Sequence, residues 1–513
     1  MPSFPRPTPT TAALAVALLT FGVFLPATTC DFVNWDDDRY VRANPLVLGG
    51  LSPAGIRAAC TSIVFSNYAP LTILSYQLDA TLWGTNPFGY HLTNVCLHAA
   101  TTGLLCLALA RMTGATGRAA VAAAVFGLHP LRVESVVWVA ERKDVLSVLL
   151  VVVALVAYER FCRAPSPRGY AAVAAALAAS LLAKATAVTL PVLLLLLDVW
   201  PLGRLRLAGV GPPPEPGRYP PVTARRAVVE KLPLLALAAV FAGITLVVHG
   251  GSGAMQSEEA LPLVAARIPN AIYAWCWYLW KTLWPTGLQP HYTHVGWGLA
   301  PAQLAACIAV PAALAVLAVR QAGRRPVVPW GLAWFTIALA PVLGLVQTGL
   351  QGYGDRFTYV PHIGLVTMLV WLAGDAADRW RPGPAVVRAA AALVVALAAG
   401  VTSARIPMWR DSLALWTTVT RQDPANAMAH LKLANHLVSV RRPLDAEPHY
   451  RAAAACATPD WPGHVCRMTS LANLACLYHD LGDLERARAT RDLALEIDPD
   501  DPAVRHMLEH VGR

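Results

Sequence analysis

The chain has 513 residues, of which 56% are hydrophobic and only 14% charged, against roughly 25% charged in an ordinary soluble domain. That balance excludes a soluble globular protein over most of the length. A formal charge of +10 in a soluble chain would suggest nucleic acid, but here the arginines sit in short connections between apolar runs, where they report membrane orientation instead.

Apolar runs rich in Ala, Leu and Val recur from Ala12 to about Thr402, whereas everything after Met408 carries Asp, Glu, Arg and His throughout. Two parts are expected: an all-α polytopic transmembrane bundle over 1–405, with a long outer loop at 28–92, and a short helical domain over 406–513. A crossing helix needs about 20 mostly apolar residues, and fewer inside a packed bundle. Spans are predicted near 9–27, 93–110, 118–130, 144–161, 169–184, 186–200, 231–248, 300–319, 328–346, 358–374 and 386–403, eleven in all. The first run has Arg6 as its only charge and no clear small-residue cleavage site, so a retained anchor is expected rather than a signal peptide.

Basic connections fall at Arg111 and Arg118, at 160–168, 204–226 and 320–325, and at 379–388. Taking all five as cytoplasmic puts the N-terminus inside and the C-terminal part outside. The segment 268–284 would invert that order if it crossed, but its Trp275, Trp277, Trp280 and Trp284 are interfacial residues. An outer-face or re-entrant helix is expected there.

Threaded this way, five groups of unusual polar residues land on the outer side. They are Asp36, Asp37 and Asp38 in the first loop; His129, Arg132, Glu134, Glu141, Arg142, Lys143 and Asp144; Lys184; the loop 249–267 with Glu258 and Glu259; and Asp355 with Arg356. Ionisable residues at membrane depth cost a few kcal/mol each, so they pair, face water or serve function. A carboxylate at the membrane surface suits general-base work on an incoming hydroxyl. Arg132, Arg142, Lys143, Lys184 and Arg356 suit the neutralisation of a phosphate as it leaves. Base and phosphate clamp together suggest group transfer from a lipid-embedded phosphorylated carrier. The three adjacent Asp residues also offer oxygen ligands for a divalent metal, without a diagnostic spacing, and no metal ligand is assigned. The ten cysteines form no CxxC pair; Cys30 and Cys60 bracket the long loop and would be able to bridge only in an oxidising compartment.

In the C-terminal part, Ala434, Leu437, Ala446 and Ala453 recur 41 residues later as Ala475, Tyr478, Ala487 and Ala494. Small residues at these offsets let antiparallel helices pack closely, as in tetratricopeptide repeats of period 34. The excess fits an insertion around ATPDWPGHVC, and Arg491 departs from the repeat pattern. Two or three such repeats make a surface for an acceptor or a partner protein.

The strings NWDDDRYVRANP, YHLTNVCLHA, FGLHPLRVESVVWVAERKDVLS, AKATAVTLPVLLLLLDVWPL and DRFTYVP together resemble the transmembrane and tetratricopeptide repeat-containing protein O-mannosyltransferases and their bacterial relatives, within the GT-C glycosyltransferase class. That resemblance implies inverting transfer of a hexose, often mannose, from a polyprenyl-phosphate carrier to a protein hydroxyl, on the extracytoplasmic side of a membrane, here a bacterial inner membrane. It implies a base in the first outer loop, which maps onto Asp36 or Asp37, with Asp38 leaving the choice open. Substrate contacts are expected from His129, Glu134, Arg142, Lys143, Asp144, Lys184, Asp355 and Arg356. The donor is a lipid-linked sugar, with membrane lipid and a protein acceptor as the other partners and no nucleic acid. A noncatalytic membrane scaffold displaying repeats is the alternative, and a transporter is disfavoured because no span carries a midplane ion pair.

Overall fold

The computed structural model describes residues 7–251, 263–346, 349, 351–456 and 461–512. Glu258 and Glu259, one of the five polar groups, lie outside the described residues, as does part of the expected insertion near 457–466. Among the described residues the chain is helical, with only two isolated β-bridges, Val64 to Asn67 and Tyr292 to Tyr353.

Each of the eleven apolar runs forms a helix. In order these are Pro9–Phe24, Pro87–Thr113, Thr116–Gly127, Arg142–Arg163, Pro167–Ala183, Leu190–Val199, Leu232–Gly251, Pro301–Gln321, Val327–Leu339, Pro361–Trp380 and Pro384–Arg405. Six helical stretches, four of them running beyond these bounds, are long and apolar enough to cross a membrane, and three shorter stretches are equally apolar. The chain is an integral membrane protein. Local chemistry sets the ends: proline opens many helices at a position that needs no N–H donor, Asn86 caps Pro87–Thr113 by accepting the Phe88 amide at 3.1 Å, and Gly114 closes it at φ 68°. Several helices turn apolar side chains outward, Val247 and Val319 among them, as helices facing lipid tails do.

Contacts between connections sort the bundle into two ends. At one end the Tyr219 hydroxyl donates to the Arg111 carbonyl at 3.2 Å, the Gly211 amide donates to the Ala322 carbonyl at 2.9 Å, and Arg118 pairs with Asp375 at 2.9 Å. The basic connections therefore meet on one face. That end is closed by a buried cluster in which Asp198 pairs with Arg204 at 3.1 Å and Lys231 at 2.5 Å.

The loop over 28–92, the 129–144 segment, Lys184 and the 352–362 turn gather at the opposite end. Helix Ile268–Leu283 has both of its ends there: the Asn270 side chain donates to the Gly352 carbonyl at 2.9 Å, and the Thr282 hydroxyl meets His362 Nε2 at 2.9 Å. Both of its ends thus meet the 352–362 segment. Cys30 and Cys60 are both free thiols.

The C-terminal part is a stack of helices over Ser412–Gln422, Ala427–Ser439, Pro443–Cys456, Trp461–Asp480, Leu484–Ile497 and Pro502–Val511. Ala434, Ala446, Ala453, Ala475, Ala487 and Ala494 are all buried. A methyl group is all that fits where these helices touch, which is why small residues recur there.

Candidate functional site

The acidic loop is held by one of its own carboxylates. Asp37 is 1% exposed; its Oδ2 accepts the Val33 amide and its Oδ1 accepts the Ala140 amide, both at 2.8 Å. The second bond ties the loop to the turn Val139–Glu141 just before the ERKD string. Burial lifts the Asp37 carboxyl to about 7, against the two amides, which favour its ionised form. Asp38 is half exposed and, among the described residues, pairs only with Arg42, at 3.6 Å on the next turn.

Asp36 differs from both. Among the described residues its carboxylate accepts no hydrogen bond, while Lys143, Lys432, Glu141 and Arg356 act on it through space. Burial pushes its pKa up from the ordinary 3.8, and the three cations oppose that rise. A carboxylate that accepts no hydrogen bond is free to turn toward an incoming group, whereas two backbone amides fix the Asp37 carboxylate in place and favour its ionised form.

Next to Asp36 lies a cluster of alternating charge. Glu141 sits at its centre, 3.0 Å from Lys143, 3.3 Å from Lys184 and 3.4 Å from Arg356. Lys184 also pairs with Asp144 at 2.6 Å, and Arg356 with Glu134 at 2.5 Å. The carboxylate of Glu134 also accepts the Arg356 backbone amide at 2.9 Å. Residues from the 132–137 helix, the ERKD turn, the break before Leu190–Val199 and the 355–358 turn thus converge from four places in the chain. Lys143 and Lys184 keep 10% and 15% of their side chains exposed, whereas Arg356 keeps 6%. The two lysines form the accessible rim and Arg356 the floor. The Lys143 ammonium also lies 4.7 Å over the Tyr40 ring.

Three of the expected residues stand elsewhere. Arg142 is fully buried and turns away from the cluster: it pairs with Asp79 at 2.5 Å, and donates to Asn94 Oδ1 at 2.8 Å, the Tyr90 carbonyl at 2.7 Å and the Ser75 carbonyl at 3.2 Å. Its guanidinium is occupied by the protein. His129 donates from Nε2 to the Thr282 carbonyl at 3.0 Å, fastening the bundle to helix Ile268–Leu283. Asp355 does not pair with the adjacent Arg356; it accepts the Tyr292 hydroxyl at 2.8 Å, and burial lifts it to about 6.

Glu141, Asp79 and Lys432 were missed as site residues. Glu141 was visible as one more charge in the ERKD string, but nothing in that string says that it, rather than its neighbours, faces three cations. Asp79 is the one charge in helix Pro70–Trp83, a signal of burial with a partner. Lys432 has no local signal, because it comes from the C-terminal part.

These features define an integral membrane helical bundle with a charged cluster where the connections at one of its ends meet the helical C-terminal part. The chain is similar to the Protein O-mannosyl-transferase TMTC2 of Mus musculus, at 32% identity over 168 residues, 31% of this chain and 20% of that protein. It is also similar to the Protein O-mannosyl-transferase Tmtc1 of Drosophila melanogaster, at 31% identity over 194 residues, 36% of this chain and 22% of that protein, and to TMTC1 of Mus musculus, at 38% identity over 95 residues, 18% of this chain and 10% of that protein. The matches thus span about a fifth or less of the length of these curated relatives. They support the resemblance carried by the motifs to the transmembrane and tetratricopeptide repeat-containing family. No family model and no solved structure matches the chain.

Proposed function

We propose that this protein is an inverting membrane glycosyltransferase that moves a hexose, mannose by analogy with its relatives' names, from a polyprenyl-phosphate carrier to a Ser or Thr hydroxyl of a protein. The observation that carries the reading is Asp36: a carboxylate that accepts no hydrogen bond among the described residues, beside a rim of two lysines with an arginine beneath. In this scheme the acceptor oxygen attacks the anomeric carbon while its proton passes to Asp36. The bond from that carbon to the phosphate oxygen breaks, and its electron pair leaves with the polyprenyl phosphate. Lys143 and Lys184, backed by Arg356, stabilise the charge that develops there.

The proposed topology has eleven crossings, with the basic face cytoplasmic, the charged site and the C-terminal domain extracytoplasmic, and helix Ile268–Leu283 lying without crossing. The bundle's two-ended sorting of contacts supports this order. The C-terminal helices are proposed to be tetratricopeptide-like repeats, and the membrane a bacterial inner membrane.

The test is transfer from a polyprenyl-phosphate mannose to a Ser/Thr-containing peptide by the purified full chain and by Asp36→Asn. Loss of transfer in a folded variant is expected. Retained transfer would remove Asp36 from the mechanism, and no transfer by the unaltered chain, with cellular function kept in Asp36→Asn, would favour the noncatalytic scaffold.

A further inference from the structure

The C-terminal domain is seated on the acidic loop rather than hanging from the last span. Asn34 is bonded to it three times: its amide donates to Ser412 Oγ at 2.9 Å, its side-chain nitrogen donates to the Lys432 carbonyl at 3.0 Å, and its Oδ1 accepts the Trp416 indole N–H at 2.6 Å. The next residue, Trp35, packs edge-on against Trp416 with ring centroids 5.3 Å apart, and the Lys432 ammonium lies 4.9 Å from its ring centre. Asp36 follows. Nearby, Trp409 stacks on Trp138 at 6.1 Å, and the Asp31 amide donates to the Arg410 carbonyl at 2.8 Å.

Lys432 is therefore gripped by both its backbone and its side chain at the two residues before the open carboxylate. Among the described residues no carboxylate oxygen lies within 4.0 Å of its nitrogen, so its charge is not spent on an ion pair. Its ammonium and the Asp36 carboxylate nevertheless attract each other through space. They do so without forming an ion pair among the described residues.

We propose that Lys432 is a positioning residue of the transfer site, lent by the C-terminal domain to hold the charge of Asp36 and to form the acceptor-side wall opposite the Lys143 and Lys184 rim. The proposal rests on the transferase reading above. It gives the domain a part in the reaction: the hydroxyl acceptor enters between the loop and helix Ala427–Ser439, and the lipid-linked donor approaches from the membrane side. The other groups that act on Asp36 are Lys143 on helix Arg142–Arg163, Glu141 on the turn before it and Arg356 on the 355–358 turn, with Asp37 beside it and Tyr40 one turn on. Lys143 and Arg356 each have carboxylates within ion-pair distance, at Glu141 and Glu134. Lys432 is the cation whose removal bears on Asp36 without unpairing another carboxylate.

The experiment measures kcat/KM against pH for the full chain, for Lys432→Met and for Lys432→Arg, with a polyprenyl-phosphate mannose as donor and a Ser/Thr-containing peptide as acceptor. Removing one opposite charge from a carboxylate moves its pKa by about 1 unit. Lys432→Met is therefore expected to shift the acid limb up by about 1 unit, a roughly tenfold loss below the limb and little loss well above it, with donor KM unchanged. Lys432→Arg is expected to restore the limb. A Lys432→Met limb at the wild-type position would overturn the proposal; Lys432→Gln is read by the same criterion if the Met variant does not fold. Asp36→Asn separates the two failures: if it stays active, the transferase base is wrong, whereas an inactive Asp36→Asn beside an unshifted Lys432→Met sinks only the role of Lys432.

Discussion

The Asp37 carboxylate and the Ala140 amide are joined by a 2.8 Å hydrogen bond across 103 residues of chain. That bond sets the 28–92 loop against the ERKD turn and leaves the neighbouring Asp36 out of it. Two adjacent, chemically identical side chains are thereby given different tasks, one holding the loop and the other facing the site.

The two should fail differently when replaced. Asp37→Asn keeps one acceptor oxygen but turns an NH₂ group toward a backbone amide, and leaving a buried donor unsatisfied costs about 1–3 kcal/mol. A lower melting temperature in detergent is expected. Asp36→Asn, with no hydrogen bond to lose, should melt like the parent while transfer falls by roughly 10²–10⁴-fold, the usual contribution of a general base. Thermal unfolding and transfer rates measured on both variants check the division; the reverse pattern would exchange their roles.

The pH profile follows from the direction of the Asp36 shift. Burial raises its pKa above the ordinary 3.8, and a base acts only when ionised, so kcat/KM should fall as pH drops through that raised value. The acid limb should lie above the ordinary carboxylate range and vanish from the residual activity of Asp36→Asn. A limb at or below 3.8 would contradict a buried base.

Arg142 should behave as a structural residue. Breaking a buried ion pair from one side costs about 3–5 kcal/mol because the partner charge is left alone. Arg142→Met is expected to reduce the yield of folded protein, and adding Asp79→Asn should recover part of that loss. Monodisperse yield on size exclusion, compared between single and double variants, gives the answer; a stable Arg142→Met defective only in donor binding would return it to the phosphate site.

Lys184 and Arg356 should affect the donor more than the acceptor. A hydrogen bond to a charged group contributes about 1.5–3 kcal/mol, so Lys184→Gln should raise donor KM by roughly ten- to a hundredfold. Arg356→Gln should be harsher, because Glu134 loses its 2.5 Å partner and folding suffers too. Donor KM at saturating peptide, with melting temperature alongside, distinguishes the two effects.

Much of the architecture was legible in advance. All eleven apolar runs became helices, because twenty-residue apolar segments have few other ways to satisfy their backbone in lipid. The five basic connections were visible as a set, and the structure gathers their contacts at one end. The recurring alanines of the C-terminal part are buried where its helices touch. Boundaries were less legible: the run read as 93–110 extends to Pro87–Thr113, because capping by Asn86 and Gly114 decides the ends more than hydropathy does.

Within the site, composition and order determined which charges would be unusual and that they would share a face. Their partners were decided only by tertiary structure. The string ERKD places four charges side by side, yet Arg142 points into the bundle toward Asp79 while Glu141, Lys143 and Asp144 join the cluster beside Lys184 and Arg356, since successive helical residues point about 100° apart. The triple Asp likewise fixes a carboxylate at the loop but not which one stays free, and nothing near Lys432 in the chain announces Asp36. An apolar span is a local property of consecutive residues, so the sequence by itself determined the bundle; a charge's role depends on what lies opposite it, which for Asp36 and Lys432 is chain almost four hundred residues away.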